Sequence, residues 1–406
     1  MATVARTSRA GASLIFLLGA AVFLNYVDRG AIGIAAPVMK SELGLSAGAY
    51  GLAFSAFFWV YAPVQLFTGW LCDRFSVYKL LAAGILLWAA STMLMGFAAG
   101  FLSLFLLRVM LGVGESISFP GSSKIIARHV PAEKRGAANA ALAMGIALGP
   151  AFGTLAGGLI VASWGWRVMF WLFGVATFLW LFPWQQLVRT LSAPAHEAPE
   201  SRVPVSALIR KWPLWSMSIV HALGNYCFYF LLAWLPLYLV QSRGFTITQM
   251  TMLATLGYAV QGACAFAYGR FSDWWTLSGR SEAACRRGMM VASQSLAAAA
   301  ILGLAFAHGA IAIAILLCLA GAASASLSMN LYAVAQMFAG QRASGTWVGV
   351  QNSLGNLSGI FGPIVTGIII DRAGYASAFY LTAGVAAVGA IWWAVGVPKI
   401  EQVEFD

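Results

Sequence analysis

Four charged residues lie inside long apolar stretches of this 406-residue chain: Asp28 and Arg29 in the first stretch, and Arg108 and Glu115 in the fourth. A charge at the centre of a bilayer costs roughly 2.5–3.5 kcal/mol on insertion scales, so such side chains usually face a polar cavity. An arginine there can hold a carboxylate through two N–H···O bonds. A carboxyl group there can load and release a proton. These residues therefore indicate a path for an anion and for protons.

The rest of the chain supplies the membrane-spanning helices that such residues require. Hydrophobic residues make up 61% of the sequence and charged residues only 9%, which leaves too little polar surface for a water-soluble globule. We therefore predict an all-α polytopic membrane protein with twelve transmembrane helices. The stretches long enough for one crossing, about 20 residues each, are 12–36, 49–71, 77–98, 101–126, 137–162, 166–188, 213–240, 248–270, 287–307, 309–338, 343–370 and 375–397.

The twelve predicted helices fall into two halves of six. Residues 189–212 are rich in Pro, Ser, Glu and Arg and predict a cytoplasmic linker. This linker separates an N-terminal half, 1–188, from a C-terminal half, 213–406. An Asn-Tyr pair at 25–26 recurs at 225–226. Duplicated halves are typical of transporters that carry one site near the bilayer midplane.

The basic residues are distributed unevenly along this predicted topology. With both termini inside, eighteen Lys and Arg lie on the cytoplasmic side and four on the other side; together with Arg29 and Arg108 they account for all 24. Short loops rich in Lys and Arg remain in the cytoplasm. The net charge of +11 thus follows from topology and does not indicate nucleic-acid binding. We expect a multi-pass protein of the inner (cytoplasmic) membrane with both termini cytoplasmic.

The sequence contains no pattern that indicates an enzyme. Its five cysteines lack metal-ligand spacing, and its four histidines are scattered. Neither a nucleotide-binding strand-turn-helix motif nor a Ser-His-Asp arrangement is visible. We therefore expect no enzymatic activity, no metal and no cofactor, with protons serving as the coupling ion.

Three segments resemble a known family. Residues 69–79 (GWLCDRFSVYK) are similar to the loop signature of the major facilitator superfamily, although Ser76 stands where a second glycine is usual. Residues 25–29 (NYVDR) and 108–115 (RVMLGVGE) resemble the anion:cation symporter family within it. That family includes bacterial carriers of sugar acids and other organic anions, sialin and the vesicular glutamate transporters. The resemblance implies the major facilitator fold.

The same resemblance implies roles for individual residues. Asp28 and Glu115 match the proton-binding positions, and Arg29 matches the position that holds the substrate carboxylate. Arg108 then favours the charged form of Glu115. The alternative is that Arg108 and Glu115 form a permanent ion pair, within helix 4 or with helix 1, that only holds helices together.

Other residues are candidates for contact with the substrate or for gating. In the cytoplasmic loop after helix 2, Asp73 and Arg74 are candidates for a charge latch that closes the inner side, with Glu133, Lys134 and Arg135 as further members. Helix packing is an alternative role for each neutral side chain. The candidate substrate contacts besides Arg29 are Tyr26, Tyr61, Arg108, Asn225, Tyr229, Asn352 and Asn356.

The sequence thus predicts a secondary active transporter that carries an organic carboxylate (a sugar acid, an aromatic acid or another small monoanion) together with protons by alternating access. Its partners are the anion, protons and the lipid bilayer, and we expect a monomer. The alternative is a proton-driven exporter of an aromatic, lipid-like or drug-like compound, suggested by 16 Trp and 26 Phe. A sensor that kept the fold and lost transport is a third possibility.

Overall fold

The computed structural model of this chain describes residues 2–130, 135–191 and 203–405. All regular structure within those residues is helical. Two short π-helical turns, Tyr238–Ser242 and Trp392–Gly396, extend α10 and α14. The helices are α1 (Ala2–Glu42), α2 (Ala47–Arg74), α3 (Val77–Met95), α4 (Phe101–Glu115), α5 (Ser118–His129), α6 (Arg135–Trp164), α7 (Trp166–Leu179), α8 (Leu181–Thr190), α9 (Val205–Leu208), α10 (Trp212–Leu237), α11 (Ile247–Leu277), α12 (Glu282–Phe306), α13 (Ala310–Gly355) and α14 (Leu357–Ile391).

Eleven helical stretches in the described part of the chain are long and apolar enough to cross a membrane. The last, Thr346–Gly396, has 51 residues, about 76 Å of helix against a hydrocarbon core of roughly 30 Å. Gly374, at φ 76°, interrupts it with a left-handed conformation that glycine adopts without strain. This stretch is therefore long enough for two crossings. The prediction of an all-α polytopic membrane protein is confirmed.

Three of the predicted stretches are each divided into two helices: 101–126, 166–188 and 343–370, the last between Gly355 and Leu357. In stretch 101–126, α4 ends at Glu115 and α5 begins at Ser118. Stretch 166–188 is divided in the same way after Leu179. The fourth predicted span is nevertheless confirmed as one membrane-crossing stretch, Phe101–Ile126, because Ser116 and Ile117 keep helical φ and ψ angles. This irregularity directly follows the buried Glu115.

The chain forms two compact units. Unit 1 consists of Met1–Leu45 and Leu52–Ala198, and unit 2 consists of Ser46–Gly51 and Pro199–Asp406. The start of α2 thus belongs to unit 2 and the rest of that helix to unit 1. Of the predicted linker, residues 192–202 lie outside the described residues.

In unit 1, α1 packs along α6, while α3 packs against α4 and α7. Small residues let α1 and α6 approach closely. A methyl group added to Gly149 would lie 2.6 Å from Cβ of Tyr26, and one added to Gly153 would lie 2.8 Å from Cα of Val27. This contact fixes the part of α1 that carries Asp28.

In unit 2, α10 packs against α13 and α14, and α12 packs against the same two helices. Its core includes the fully buried Trp347 and Trp393. The end of the chain closes this core, because the backbone N–H of Val403 donates to the carbonyl of Phe338 at 2.8 Å and the ring of Phe405 lies against Trp347.

Candidate functional site

Close packing of α4 determines where its two charged residues lie. A methyl group on Gly112 would overlap the backbone carbonyl of Phe57 on α2. On Gly114 it would lie 2.7 Å from both the carbonyl oxygen of Gly84 and the backbone nitrogen of Trp88 on α3. Because α4 has no side chain at these two positions, it lies directly against α2 and α3. Its charged groups are thereby enclosed among helices.

Glu115 forms an ion pair with α1. Its Oε2 accepts a hydrogen bond from Nε of Arg29 at 3.2 Å, and the side chains of Arg29 and Glu115 are 12% and 0% exposed. The sequence left the partner of Glu115 open, and the structure shows contact with helix 1. A carboxylate this deeply buried requires such a partner, because desolvation of an unpaired charge is very costly.

Aromatic rings surround the guanidinium group of Arg29. Its central carbon lies 4.7 Å from the ring centre of Tyr61, 4.9 Å from that of Tyr26 and 5.5 Å from that of Phe57. At these distances the ring faces attract the cation, which stabilises the positive charge of Arg29 where little water is present. Two of the rings belong to predicted substrate contacts, Tyr26 and Tyr61. In this structure both contact the arginine.

Arg108 lies deeper, at 3% exposure. Its Nη2 donates to the backbone carbonyl of Phe54 at 3.0 Å. The same guanidinium lies 5.0 Å from the ring centre of Phe57 and 5.3 Å from that of Phe54. Arg108 therefore supplies a fixed positive charge behind Arg29. It is too enclosed to be the first cation that an incoming solute meets.

Asp28 has different partners. Its Oδ2 accepts hydrogen bonds from the indole Nε1 of Trp88 and, at 3.1 Å, from Oγ1 of Thr92. Both donors come from α3 and neither was singled out from the sequence. A tryptophan and a threonine in an apolar stretch have the composition of ordinary packing residues. The one signal in the sequence is that Trp88 and Thr92 are four residues apart, which places them on one helix face where they can bond the same group.

We call Asp28, Arg29, Arg108 and Glu115 the charge cluster. Two carboxylates and two guanidinium groups give it no net charge when all four are ionised. Arg29 is its most accessible member, since Asp28, Arg108 and Glu115 are at most 3% exposed. An anion that approaches this cluster therefore meets Arg29 first.

Unit 2 brings polar side chains together without buried charges. We call Asn225, Tyr229, Tyr332, Asn352 and Asn356 the polar cluster. The hydroxyl of Tyr229 donates to Oδ1 of Asn356, whose Nδ2 donates to the carbonyl of Asn352 at 2.8 Å. Oδ1 of Asn352 accepts from the hydroxyl of Tyr332 at 2.9 Å, and Nδ2 of Asn225 lies 3.4 Å from the carbonyl of Gly355.

The members of the polar cluster differ in exposure. Tyr229 and Asn356 are buried, whereas Asn225 and Asn352 are partly exposed. The buried pair bonds the backbone of Asn352, whereas the hydroxyl of Tyr332 bonds its partly exposed side-chain amide. Sequence reasoning missed Tyr332, because nothing in its own helix distinguishes it from a packing tyrosine.

The predicted gating residues lie at the end of α2 and in the part of the chain that follows α5. Arg74 ends α2 and is exposed. The side chain of Asp73 lies outside the described residues, as do Glu133 and Lys134 and the side chain of Arg135. The gating role thus remains a prediction. Among the side chains that the structure does describe, no group of three or more His, Cys, Asp or Glu is arranged to hold a metal ion.

The close contact at Gly114 gives a stability prediction. Replacing Gly114 with alanine should destabilise the protein by about 1–3 kcal/mol, because overpacking forces helices apart. A lower melting temperature in detergent would show this. The matched control is Gly262→Ala on α11, where an added methyl group meets nothing within 4 Å; it should leave the melting temperature unchanged or slightly raise it. Equal melting temperatures for the two variants would contradict the packing described for α4.

Comparison with known proteins extends these observations. The sequence model of the Major Facilitator Superfamily matches residues 18–281 and 244–404. A hexuronate transporter of Bacillus subtilis (strain 168) is 29% identical, over 92% of this chain and 91% of that protein. A protein of Escherichia coli (strain K12) named as a probable galactarate/D-glucarate transporter is 30% identical, over 93% and 91%. Among solved structures, an inward-facing bacterial homologue of the human lysosomal transporter Spinster matches with a TM-score of 0.79 and 19% identity, over 95% of this chain and 96% of that one.

Proposed function

The chain belongs to the Major Facilitator Superfamily and is a multi-pass membrane transporter, not an enzyme; on that premise we propose that it moves a small organic carboxylate together with protons by alternating access. The observation that carries this proposal is the charge cluster. It combines an accessible arginine with two buried carboxyl groups inside one unit.

Arg29 supports the choice of a carboxylate. Its guanidinium has a fork of donors that matches two carboxylate oxygens. Glu115 already occupies one part of this fork at 3.2 Å. A substrate carboxylate is the same chemical group, and it competes with Glu115 for Arg29. Relatives that carry hexuronate, or that are named for galactarate and glucarate, carry substrates with this group.

Charge balance supports coupling to protons. The empty cluster is neutral, so a bound monoanion would leave one uncompensated negative charge in a region of low dielectric, where such a charge is costly. Protonation of Glu115 or Asp28 restores neutrality. When the substrate displaces Glu115 from Arg29, the released carboxylate loses the charge that favoured its ionised form. Substrate binding and proton binding therefore promote each other.

In unit 2 we keep Asn225 and Asn352 as candidate substrate contacts, with Tyr229, Tyr332 and Asn356 as their neighbours in the polar cluster. Replacing Asn352 with alanine should weaken affinity about tenfold, since one hydrogen bond contributes about 0.5–1.5 kcal/mol. The shape of the pH profile should not change. Binding is measured by ligand-induced thermal shift with hexuronate. The control is Ser377→Ala. The exposed hydroxyl of Ser377 donates only to the backbone carbonyl of Ala373 in the same helix. Unchanged affinity in Asn352→Ala would remove this residue from the substrate contacts.

Transport into proteoliposomes tests the proposal. Purified protein is reconstituted, a proton gradient is imposed in either direction, and radiolabelled hexuronate, an aromatic acid and a small monocarboxylate are followed. Symport predicts accumulation on the side toward which protons flow. Accumulation on the opposite side would support the alternative, a proton-driven exporter. Binding of an acid without any flux would contradict transport.

The remaining proposals concern placement in the cell. We propose that the protein lies in the inner membrane as a monomer with both termini cytoplasmic, supported by the distribution of basic residues. Asp73 and Arg74 then lie on the cytoplasmic side, where they act as gating charges. Labelling of single cysteines from outside intact cells distinguishes cytoplasmic termini from termini on the outer side. With cytoplasmic termini, a cysteine in the segment before α9 should be protected and one at Ser46 should be labelled.

A further inference from the structure

The two buried carboxyl groups of the charge cluster are held by different chemistry. Glu115 is paired with the positive charge of Arg29. Asp28 directs one oxygen, Oδ2, toward two neutral donors on α3, the indole of Trp88 and the hydroxyl of Thr92. Within the described residues its other oxygen, Oδ1, is buried and has no hydrogen-bond partner.

The two donors are fixed in position. Trp88 and Thr92 are both 0% exposed, and they lie four residues apart on one face of α3. The backbone of Trp88 lies directly against Gly114 of α4. The indole is therefore held in place by the same close helix contact that places Glu115. A substrate that binds Arg29 does not need to touch either donor.

Charged groups act on Asp28 from α4, which carries Arg108 and Glu115. The neighbour of Asp28 in sequence, Arg29, bonds Glu115. On α3 the groups that face Asp28 are Trp88 and Thr92, which are uncharged. At Val27, the residue before Asp28 on α1, α6 presents Gly153. Neutral donors are thus the closest partners of this carboxylate.

We propose that Trp88 and Thr92 are positioning residues that set the proton affinity of Asp28 and thereby the pH range of transport. This inference rests on the proposed function. An indole N–H can only donate, and the hydroxyl of Thr92 also donates in this structure. Both bonds to Oδ2 therefore favour the ionised carboxylate, and an added proton goes to Oδ1. Loss of either donor makes the protonated form more favourable. Asp28 then keeps its proton to higher pH and releases it less readily.

The expected effect has a definite sign and size. One hydrogen bond to an ionised group accounts for about one pH unit of proton affinity. In Trp88→Phe, the pH at which uptake falls to half its maximum should therefore rise by about one unit. Thr92→Val should shift it in the same direction. Release of the proton on the inner side becomes slower, so the maximal rate of gradient-driven uptake should fall, whereas exchange of labelled for unlabelled hexuronate, which needs no proton release, should persist.

The test is a pH profile of hexuronate uptake and exchange in proteoliposomes. Trp180→Phe is the matched control, since the indole of Trp180 donates to the carbonyl of Leu17 on α1 at 2.8 Å and Trp180 is also buried. Thr92→Ser keeps the hydroxyl and should restore the original profile. In an Asp28→Asn background, Trp88→Phe should cause no further shift in the pH dependence of hexuronate binding.

The outcomes separate the two proposals. A proton-coupled wild type whose profile is unchanged in both Trp88→Phe and Thr92→Val overturns the positioning role and leaves the proposed function standing. A wild type with no dependence on protons overturns the proposed function itself, and this inference with it. If Trp88→Phe does not fold, the pair Thr92→Val and Thr92→Ser decides, because Val and Thr have nearly the same shape.

Discussion

Replacing Arg29 with alanine should weaken the binding of an organic acid about 100-fold. Hydrogen bonds to charged groups contribute about 1.5–3 kcal/mol, and two parallel ones to a carboxylate give the upper part of that range. The aromatic rings of Tyr26, Tyr61 and Phe57 cannot replace a positive charge. Binding is measured by thermal shift with hexuronate at acidic and at neutral pH.

The same substitution leaves Glu115 buried without its partner, so part of its effect is on stability. Breaking a buried ion pair on one side costs about 3–5 kcal/mol, unless the carboxyl group takes up a proton. The variant Arg29→Ala combined with Glu115→Gln removes this problem and should bind as weakly as Arg29→Ala alone. Arg167→Ala is the control, because Arg167 forms an ion pair with Glu42 in which both side chains are partly exposed. Undiminished binding in the double variant would exclude Arg29 as the anchor.

Replacing Glu115 with glutamine should abolish gradient-driven accumulation and preserve exchange. Glutamine has nearly the shape of a protonated glutamic acid and cannot release a proton. The variant is therefore held in the state that carries substrate, and it exchanges labelled for unlabelled acid without completing an empty return. We expect accumulation to fall at least tenfold and exchange to become less dependent on pH.

A matched substitution separates this effect from a general loss of charge. Glu282 pairs with Arg286 one helical turn away on α12, and its side chain is 37% exposed. Glu282→Gln should transport normally, because exposed pairs contribute little to stability. Accumulation by Glu115→Gln at the rate of Glu282→Gln would contradict a coupling role for Glu115.

Part of the site was predictable because buried charge is costly. Asp28, Arg29, Arg108 and Glu115 stand out in apolar stretches regardless of how the helices pack, and a helical period shows which residues share a face. The period does not show which helix that face meets. Whether Glu115 pairs with Arg108 or with α1 is decided only by the tertiary contact between Nε of Arg29 and Oε2 of Glu115.

Other members of the site could not be found in the sequence. Trp88 and Thr92 lie in an apolar helix where such residues ordinarily pack against neighbours, and Tyr332 lies in a similar position on α13. Their significance comes from the group each one contacts, which depends on the tertiary fold. Gly374 is different: the sequence already separated stretches 343–370 and 375–397 at this point, and its φ of 76° shows the backbone conformation that interrupts the 51-residue apolar stretch.

The claim at the centre of this account is that the charge cluster binds an organic anion and a proton together. Proteoliposomes that enclose a pH-sensitive dye, with no imposed gradient, measure this directly when hexuronate is added outside. The wild type should acidify the interior as the acid accumulates, and the double variant Asp28→Asn with Glu115→Gln should not. Hexuronate uptake without acidification in the wild type, or equal acidification by the double variant, would contradict the claim.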